Sequence, residues 1–430
     1  MTYDSLTGVA AAAGKFFSND AVRLGLIDRR LPHLLADLGD SRAAALYTGP
    51  RQKGGVSPIN VACALSGQRY RAVAGFGTSG YRTDQYLTTA NLAALVASPA
   101  GTVRIIGALN DIGQDYPTQG TAGATAAANV QAAITSTLRP AGIRVIVEAE
   151  IGQDGMAAVR LGQVYEYNQR MREFCERTSG CYWHDARPVV LNPTSSTSTV
   201  NYKTGYSYDG SHPNQRGGHY WGKSLKTLLD SITPASVPLI ANISELPANG
   251  RWQILDNPLF NTTTGGSTST GVTGTFPGSC TVNKTGAGTA VVCTPAAQNT
   301  QLAITFGAQS DNARISMAAN NANWSIGDWL QATAKITVTN PSGLAGVQMT
   351  MVPTVDSAGV VVTDMYANPL WAGPDETFTM TLLTDPYRVT GTTKNSLVPT
   401  IYFTAFAAGS AFTASIENMA IIRRVAGYGG

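Results

Sequence analysis

Four short islands in this chain hold residues that can move a proton or attack a carbonyl. Asp209-Gly210-Ser211-His212, followed by Pro213-Asn214, sets a carboxylate three residues before one of only four histidines, in a turn-forming context. Residues at that separation can share a face. A carboxylate on one imidazole nitrogen fixes the tautomer and leaves the other nitrogen to take a hydroxyl proton. Gly39-Asp40-Ser41 supplies such a hydroxyl at the end of an apolar run. Between them lie Gly77-Thr78-Ser79-Gly80 and Asn110-Asp111. Gly80 lacks a Cβ, so its N–H can approach a substrate oxygen, and Asn110 offers a side-chain amide donor. The chemistry these types support is acyl transfer through an activated serine. Each island also has a plainer reading: an N-cap serine, a loop glycine, an Asn-Asp turn, or a surface turn in which Asp209 bonds its own backbone. His33 inside a predicted strand, His184 beside Asp185 and His219 within a predicted helix are poorer partners for a serine; His33 and His184 read as structural.

The elements that must position these groups alternate. His33–Leu38, Ala72–Ala74, Val103–Ile106, Ile143–Val147 and Cys181–Trp183 read as strands. Thr83–Val96, Thr121–Leu138, Val164–Thr178 and Asn214–Leu229 have helical length and spacing. Such alternation predicts a parallel sheet with helices on both faces, and ligands bind beyond the carboxyl ends of its strands. Ser41, Gly80, Asn110 and the Asp209/His212 pair follow predicted strands or lie on loops, so one edge can gather them. From Arg251 the helical spacing is gone, and short Thr/Val/Ile-rich segments separated by Gly, Asn, Pro and Asp predict an all-β, jelly-roll-like sandwich. The expected organisation is an N-terminal helical arm over 1–30, an α/β domain over 31–235, a connector over 236–250 and a β-sandwich over 251–430.

In order and in motif, Gly39-Asp40-Ser41, Ser79-Gly80, Asn110-Asp111 and Asp209-x-x-His212-Pro213 resemble the SGNH (GDSL-type) hydrolases, over roughly residues 31 to 235. The resemblance implies a flavodoxin-like doubly wound sheet, with Ser41 as nucleophile, His212 as base and Asp209 as its orienter. It also implies an oxyanion hole made by the Ser41 and Gly80 amides and the Asn110 side chain, with no metal or other cofactor. Two positions depart from the family's pattern. Ala108 stands where a glycine is usual, with Gly107 one place earlier, which narrows the pocket or shifts Asn110 slightly. Arg42 stands where an apolar residue usually follows the serine. No Gly-x-Ser-x-Gly occurs, which argues against an α/β-hydrolase nucleophile elbow.

Composition bounds the context. Hydrophobic residues reach 43% of the 430, enough for packed cores, while charged residues are only 13% and glycines number 45. A low-charge, hydroxyl-rich surface fits extracellular or virion proteins. The net charge of +3 and the lack of a basic, aromatic-interleaved cluster give no case for nucleic acid. No basic n-region, signal core or run of membrane-spanning length stands out, so no signal peptide and no membrane insertion are expected. The five cysteines, Cys63, Cys175, Cys181, Cys280 and Cys293, show no zinc-like spacing with histidine, and only Cys280 and Cys293, flanking a predicted hairpin, are candidates to pair. The family spans lipases, thioesterases and glycan O-acetylesterases. No greasy lid stands between Leu46 and Tyr70. The appended β-region resembles carbohydrate-binding sandwiches of phage tail-associated esterases, and it holds Trp252, Trp324, Trp329 and Trp371, four of six tryptophans. The expected substrate is an O-acetylated bacterial surface polysaccharide, acted on by a tail spike or fibre protein. Tail proteins of this kind are commonly homotrimers. The alternatives are a catalytically inactive glycan-binding protein and a lipolytic GDSL esterase.

Overall fold

The structure is a computed structural model that describes residues 31–49, 52–195, 199–233, 251–296, 299–341, 343–355, 358–359, 362–364, 370 and 372–424. The helical arm over 1–30 and the connector over 236–250 lie outside the described residues.

All five predicted strands form, as β1 Leu31–Gly39, β2 Arg71–Gly77, β3 Ala100–Ile106, β4 Arg144–Glu148 and β5 Cys181–His184. They make one sheet in the order β2-β1-β3-β4-β5, the flavodoxin-like order. Its pairings β1–β3, β3–β4 and β4–β5 are parallel. β3 is buried along its whole length, as a central parallel strand must be. The predicted helix over Thr83–Val96 is two helices, Thr83–Tyr86 and Thr89–Ala97. The break comes at Thr88, whose side chain accepts from the Asn91 N–H and caps the second helix. Ala122–Ala133 runs into a π turn, Ile134–Leu138, and Ala158–Arg177 starts earlier than its apolar spacing suggests.

The described chain divides into two compact units that no single cut separates. One holds the described residues up to Ala43, Ala72–Glu150 and Ala157–Asp185, and so the parallel sheet. The other holds Ala44–Arg71, Ile151–Met156 and everything from Ala186 onward.

The second unit is built on a two-sheet sandwich. One sheet runs Val272–Gly274, Ala290–Ala296, Asn299–Thr305, Ala411–Arg424, Trp329–Thr339, Phe378–Leu383. The other runs Tyr47–Gly49, Gln52–Lys53, Val362–Asp364, Leu344–Val355, Lys394–Ala405, Asn312–Met317, Cys280–Lys284, Ser267–Thr268. Inward residues of both, such as Leu302, Ile336, Ile315 and Phe403, form one buried core. Two strands of the second sheet thus come from far upstream: Gln52 and Lys53 pair in parallel with Thr363 and Asp364.

Cys280 and Cys293 do not flank a hairpin. Their strands belong to different sheets, and both are free, buried thiols. Burial pushes Cys280 up to about 12, which suits an inert core thiol. Trp324 is fully buried beneath the Lys394 ammonium, so it contacts core and not solvent.

The segment between Leu46 and Tyr70 carries a feature the sequence reading missed. Pro58–Leu65 is a helix with seven of its eight residues buried. It packs against Gln215–Ile232 at very close range: a Cβ on Gly222 would fall 2.6 Å from Val61 Cβ. Only a glycine allows that approach.

Candidate active site

In the first unit, Ser41, Gly80 and Asn110 each lie a few residues beyond the carboxyl ends of β1, β2 and β3, three neighbouring strands. Ser41 opens a one-turn helix, Ser41–Ala44. Gly39 is required sterically, because a Cβ there would sit 1.7 Å from the Ile106 carbonyl oxygen. The turn is tied to its neighbours by Asp40 N–H donating to Ile106 O (3.2 Å) and Thr78 N–H donating to Gly39 O (3.0 Å). Gly80 has φ +80°, a left-handed conformation suited to glycine, and its Cβ direction is open space.

Asn110 donates one amide hydrogen to Tyr81 O (2.9 Å), which fixes the side chain and keeps the second hydrogen for another acceptor. Its neighbour Asp111 anchors the turn, accepting from Thr83 N–H (2.9 Å) and Thr83 Oγ1 (2.7 Å). Gly107, not Ala108, is the position without room: a Cβ there would approach the Asp40 carboxyl carbon to 3.0 Å. Ala108 is buried, and its N–H donates to Glu150 Oε2 (3.0 Å).

Arg42 lies in the one-turn helix Ser41–Ala44. It is 2% exposed and sits between two carboxylates. Nη2 donates to Asp40 Oδ2 (2.6 Å) and Glu150 Oε2 (2.8 Å), and Nη1 donates to Glu150 Oε1 (2.6 Å). Burial opposes its charge, but the Asp40 and Glu150 carboxylates raise its pKa well above the usual value. A second buried ionic row crosses the sheet. Arg104 on β3 pairs with Asp37 on β1 (2.6 Å) and Glu148 on β4 (3.3 Å), and Glu148 meets His184 Nδ1 on β5 at 2.7 Å.

Burial pushes both Asp37 and Asp111 up to about 6, in Asp37 against the pull of Arg104. Carboxyls raised in the folded state lend stability that is fully present below about pH 4 and is lost as pH rises through about 6. Asp111→Asn cannot lose that proton. Relative to wild type its melting temperature should therefore improve between about pH 4.5 and 7.5. A difference in melting temperature that does not change with pH would refute this assignment.

The second unit holds the imidazole. His212 Nδ1 meets Asp209 Oδ2 at 2.7 Å, and Asp209 Oδ1 accepts the N–H groups of Ser211 (2.9 Å) and His212 (2.8 Å). These donors to its charged form hold Asp209 below the usual carboxylate range despite the burial that opposes it. Ser207 Oγ donates to His212 O (2.7 Å) and accepts from Gly210 N–H (2.8 Å), closing the turn. Asp154 braces it from outside, donating its N–H to Gly210 O (2.8 Å) and accepting from Tyr202 N–H (2.8 Å). The Tyr208 ring stacks on His212, centroids 5.4 Å apart.

Three of the four histidines meet a carboxylate: His184 with Glu148, His212 with Asp209, His219 with Glu376. Side-chain exposure separates them. His184 is 5% exposed and His219 0%, against 27% for His212. Only His212 of these three can meet a substrate in solvent. The roles of Asp111, Asp154, Arg42 and Glu150 escaped the sequence reading; Asp111 was flagged only as half of its Asn-Asp block, and Arg42 only as a departure from the family's pattern.

A parallel sheet in the 2-1-3-4-5 order, with a serine, a glycine and an asparagine beyond three adjacent strands, is the architecture of an SGNH hydrolase. Residues 38–219 match the family model of the GDSL-like lipase/acylhydrolases, and this chain carries a domain of that family. No curated protein matches the sequence. Among solved structures, a lipolytic G-D-S-L family protein from Veillonella parvula is 16% identical, with 46% of this chain and 99% of that one covered and a TM-score of 0.35. A carbohydrate esterase family 3 protein from Talaromyces cellulolyticus is 14% identical, covering 46% and 97%, with a TM-score of 0.34. A xylan-binding domain from Paenibacillus barcinonensis is 14% identical, covering 41% and 97%, with a TM-score of 0.25.

Proposed function

We propose that this chain is a serine esterase that removes O-acetyl groups from a bacterial surface polysaccharide, capsule or O-antigen, and that it serves outside the cell or on a virion as a phage tail spike or fibre protein. The observation that carries the enzymatic part is the partly exposed His212–Asp209 pair inside a GDSL-family match. Ser41 Oγ attacks the acetyl carbonyl while His212 Nε2 takes its proton, and Asp209 holds the imidazole's other N–H. The Ser41 and Gly80 amides and the Asn110 amide receive the oxyanion. The alkoxide of the sugar leaves with the proton from His212. Water, deprotonated by the same imidazole, then releases acetate.

The polysaccharide part is supported by the sandwich. Asn283, Arg314, Tyr402 and Gln348 align in one cross-strand row on four neighbouring strands, all half-buried, with the Arg314 guanidinium 5.8 Å from the Tyr402 ring centre. A row of amides, a guanidinium and an aromatic ring on a sheet face suits hydroxyl-rich ligands.

The test is acetate release from a panel of O-acetylated bacterial polysaccharides, alongside p-nitrophenyl esters of increasing chain length. Faster turnover of long-chain esters would replace this reading by a lipolytic esterase. Polysaccharide binding with no ester turned over would leave a binding protein.

A further inference from the structure

We infer that Arg42 and Glu150 are positioning residues, which hold the turn carrying Ser41 at a fixed distance from the turn carrying Asn110. The inference rests on the proposed esterase reading. Glu150 is the shared node: its Oε2 accepts both from Arg42 Nη2 (2.8 Å) and from Ala108 N–H (3.0 Å), two residues before Asn110. Glu150 is itself pinned, its N–H donating to Asn168 Oδ1 (2.7 Å) and its carbonyl accepting from Asn168 Nδ2 (2.8 Å). On the other side Arg42 grips Asp40 through Nε, Nη2 and its own backbone N–H. Ser41 therefore stands between two residues whose side chains cannot move independently of Glu150.

The triad carries one positive and two negative charges, and every member is at least 98% buried. Removing the cation would strand two carboxylates away from water. The turn would have to shift to rehydrate them. The apolar residue usual at this position in the family is therefore not a neutral replacement here. Lysine cannot reproduce the forked donor set that meets Asp40 and Glu150 together. A displacement of about 1 Å between oxyanion donors and nucleophile costs about a hundredfold in rate.

The experiment compares wild type, Arg42→Lys, Arg42→Leu, Glu150→Gln and Ser41→Ala on p-nitrophenyl acetate, with thermal unfolding of each. The expected result is a kcat loss of about a hundredfold for Arg42→Leu, with less loss for Arg42→Lys and Glu150→Gln and KM little changed throughout. The inactivation rate of Ser41 by a sulfonyl fluoride should fall in the same order, because sulfonylation needs the same geometry. If Ser41→Ala matches wild type, the reading of Ser41 as the esterase nucleophile itself fails. If Ser41→Ala is inert while a folded Glu150→Gln and a folded Arg42→Lys keep wild-type kcat and labelling rate, the positioning inference is overturned. Should Arg42→Leu not fold, those two conservative variants still decide.

Discussion

Ser41→Ala is expected to lower kcat on acetyl esters by about a million-fold, with KM nearly unchanged. The substitution removes one hydroxyl and leaves the backbone of the turn in place. Gly39 still packs under Ile106 O, and the Arg42–Asp40–Glu150 links do not involve the serine side chain. Oxyanion donors and substrate contacts therefore survive, and residual rate over water comes from them. What disappears is the hydroxyl oxygen proposed to become acetylated. Acid-quenched wild type should carry one acetyl group on the peptide containing Ser41, detectable by mass spectrometry, and the variant none. A loss of less than tenfold would place the nucleophile elsewhere.

Asp209→Asn should cost about ten-thousandfold in kcat while leaving the fold intact, through the tautomer rather than the charge alone. The new side chain can keep its oxygen where Oδ1 now accepts the Ser211 and His212 N–H groups, since those donors demand an acceptor. Its NH2 then faces His212 Nδ1 in place of Oδ2 and donates to it. That forces the ring proton onto Nε2, the nitrogen proposed to accept from serine. Imidazole nitrogen-15 chemical shifts would report the inverted tautomer directly. An unchanged kcat, or a ring that keeps its proton on Nδ1, would remove Asp209 from the mechanism.

The inner strands β1, β3 and β4 were legible because each is a short, largely apolar run bounded by turn residues, and burial on both faces produces such runs. Pro58–Leu65 was not. It is buried nearly all round, so it has no polar face to reveal a helical period. Tyr47–Gly49 and Gln52–Lys53 were illegible for another reason: they are two or three residues long, and their place depends on Val362–Asp364, far along the chain. The motif residues stood out because their types are chemically specific. Arg42 did not, because an arginine after a serine looks like an ordinary solvated helix start, and the Glu150 that buries it lies 108 residues away. Tertiary pairing of that range leaves no local trace.

The helix Gln215–Ile232, which begins three residues after His212, is bound along one side to the sandwich. Arg216 and Tyr220 meet Asp375, His219 and Lys223 meet Glu376, and Gln215 donates to Ala345 O. Gln68 donates to Thr381 O, and Lys53 pairs with Asp385. The sandwich is thus no interchangeable tool at the end of a handle. A graft that exchanged it for another sandwich would have to carry with it the surface formed by Lys53, Gln68 and the helix Gln215–Ile232, and so the chain next to the imidazole. The sandwich and the Asp209–His212 pair belong to one compact unit and would be inherited as one block.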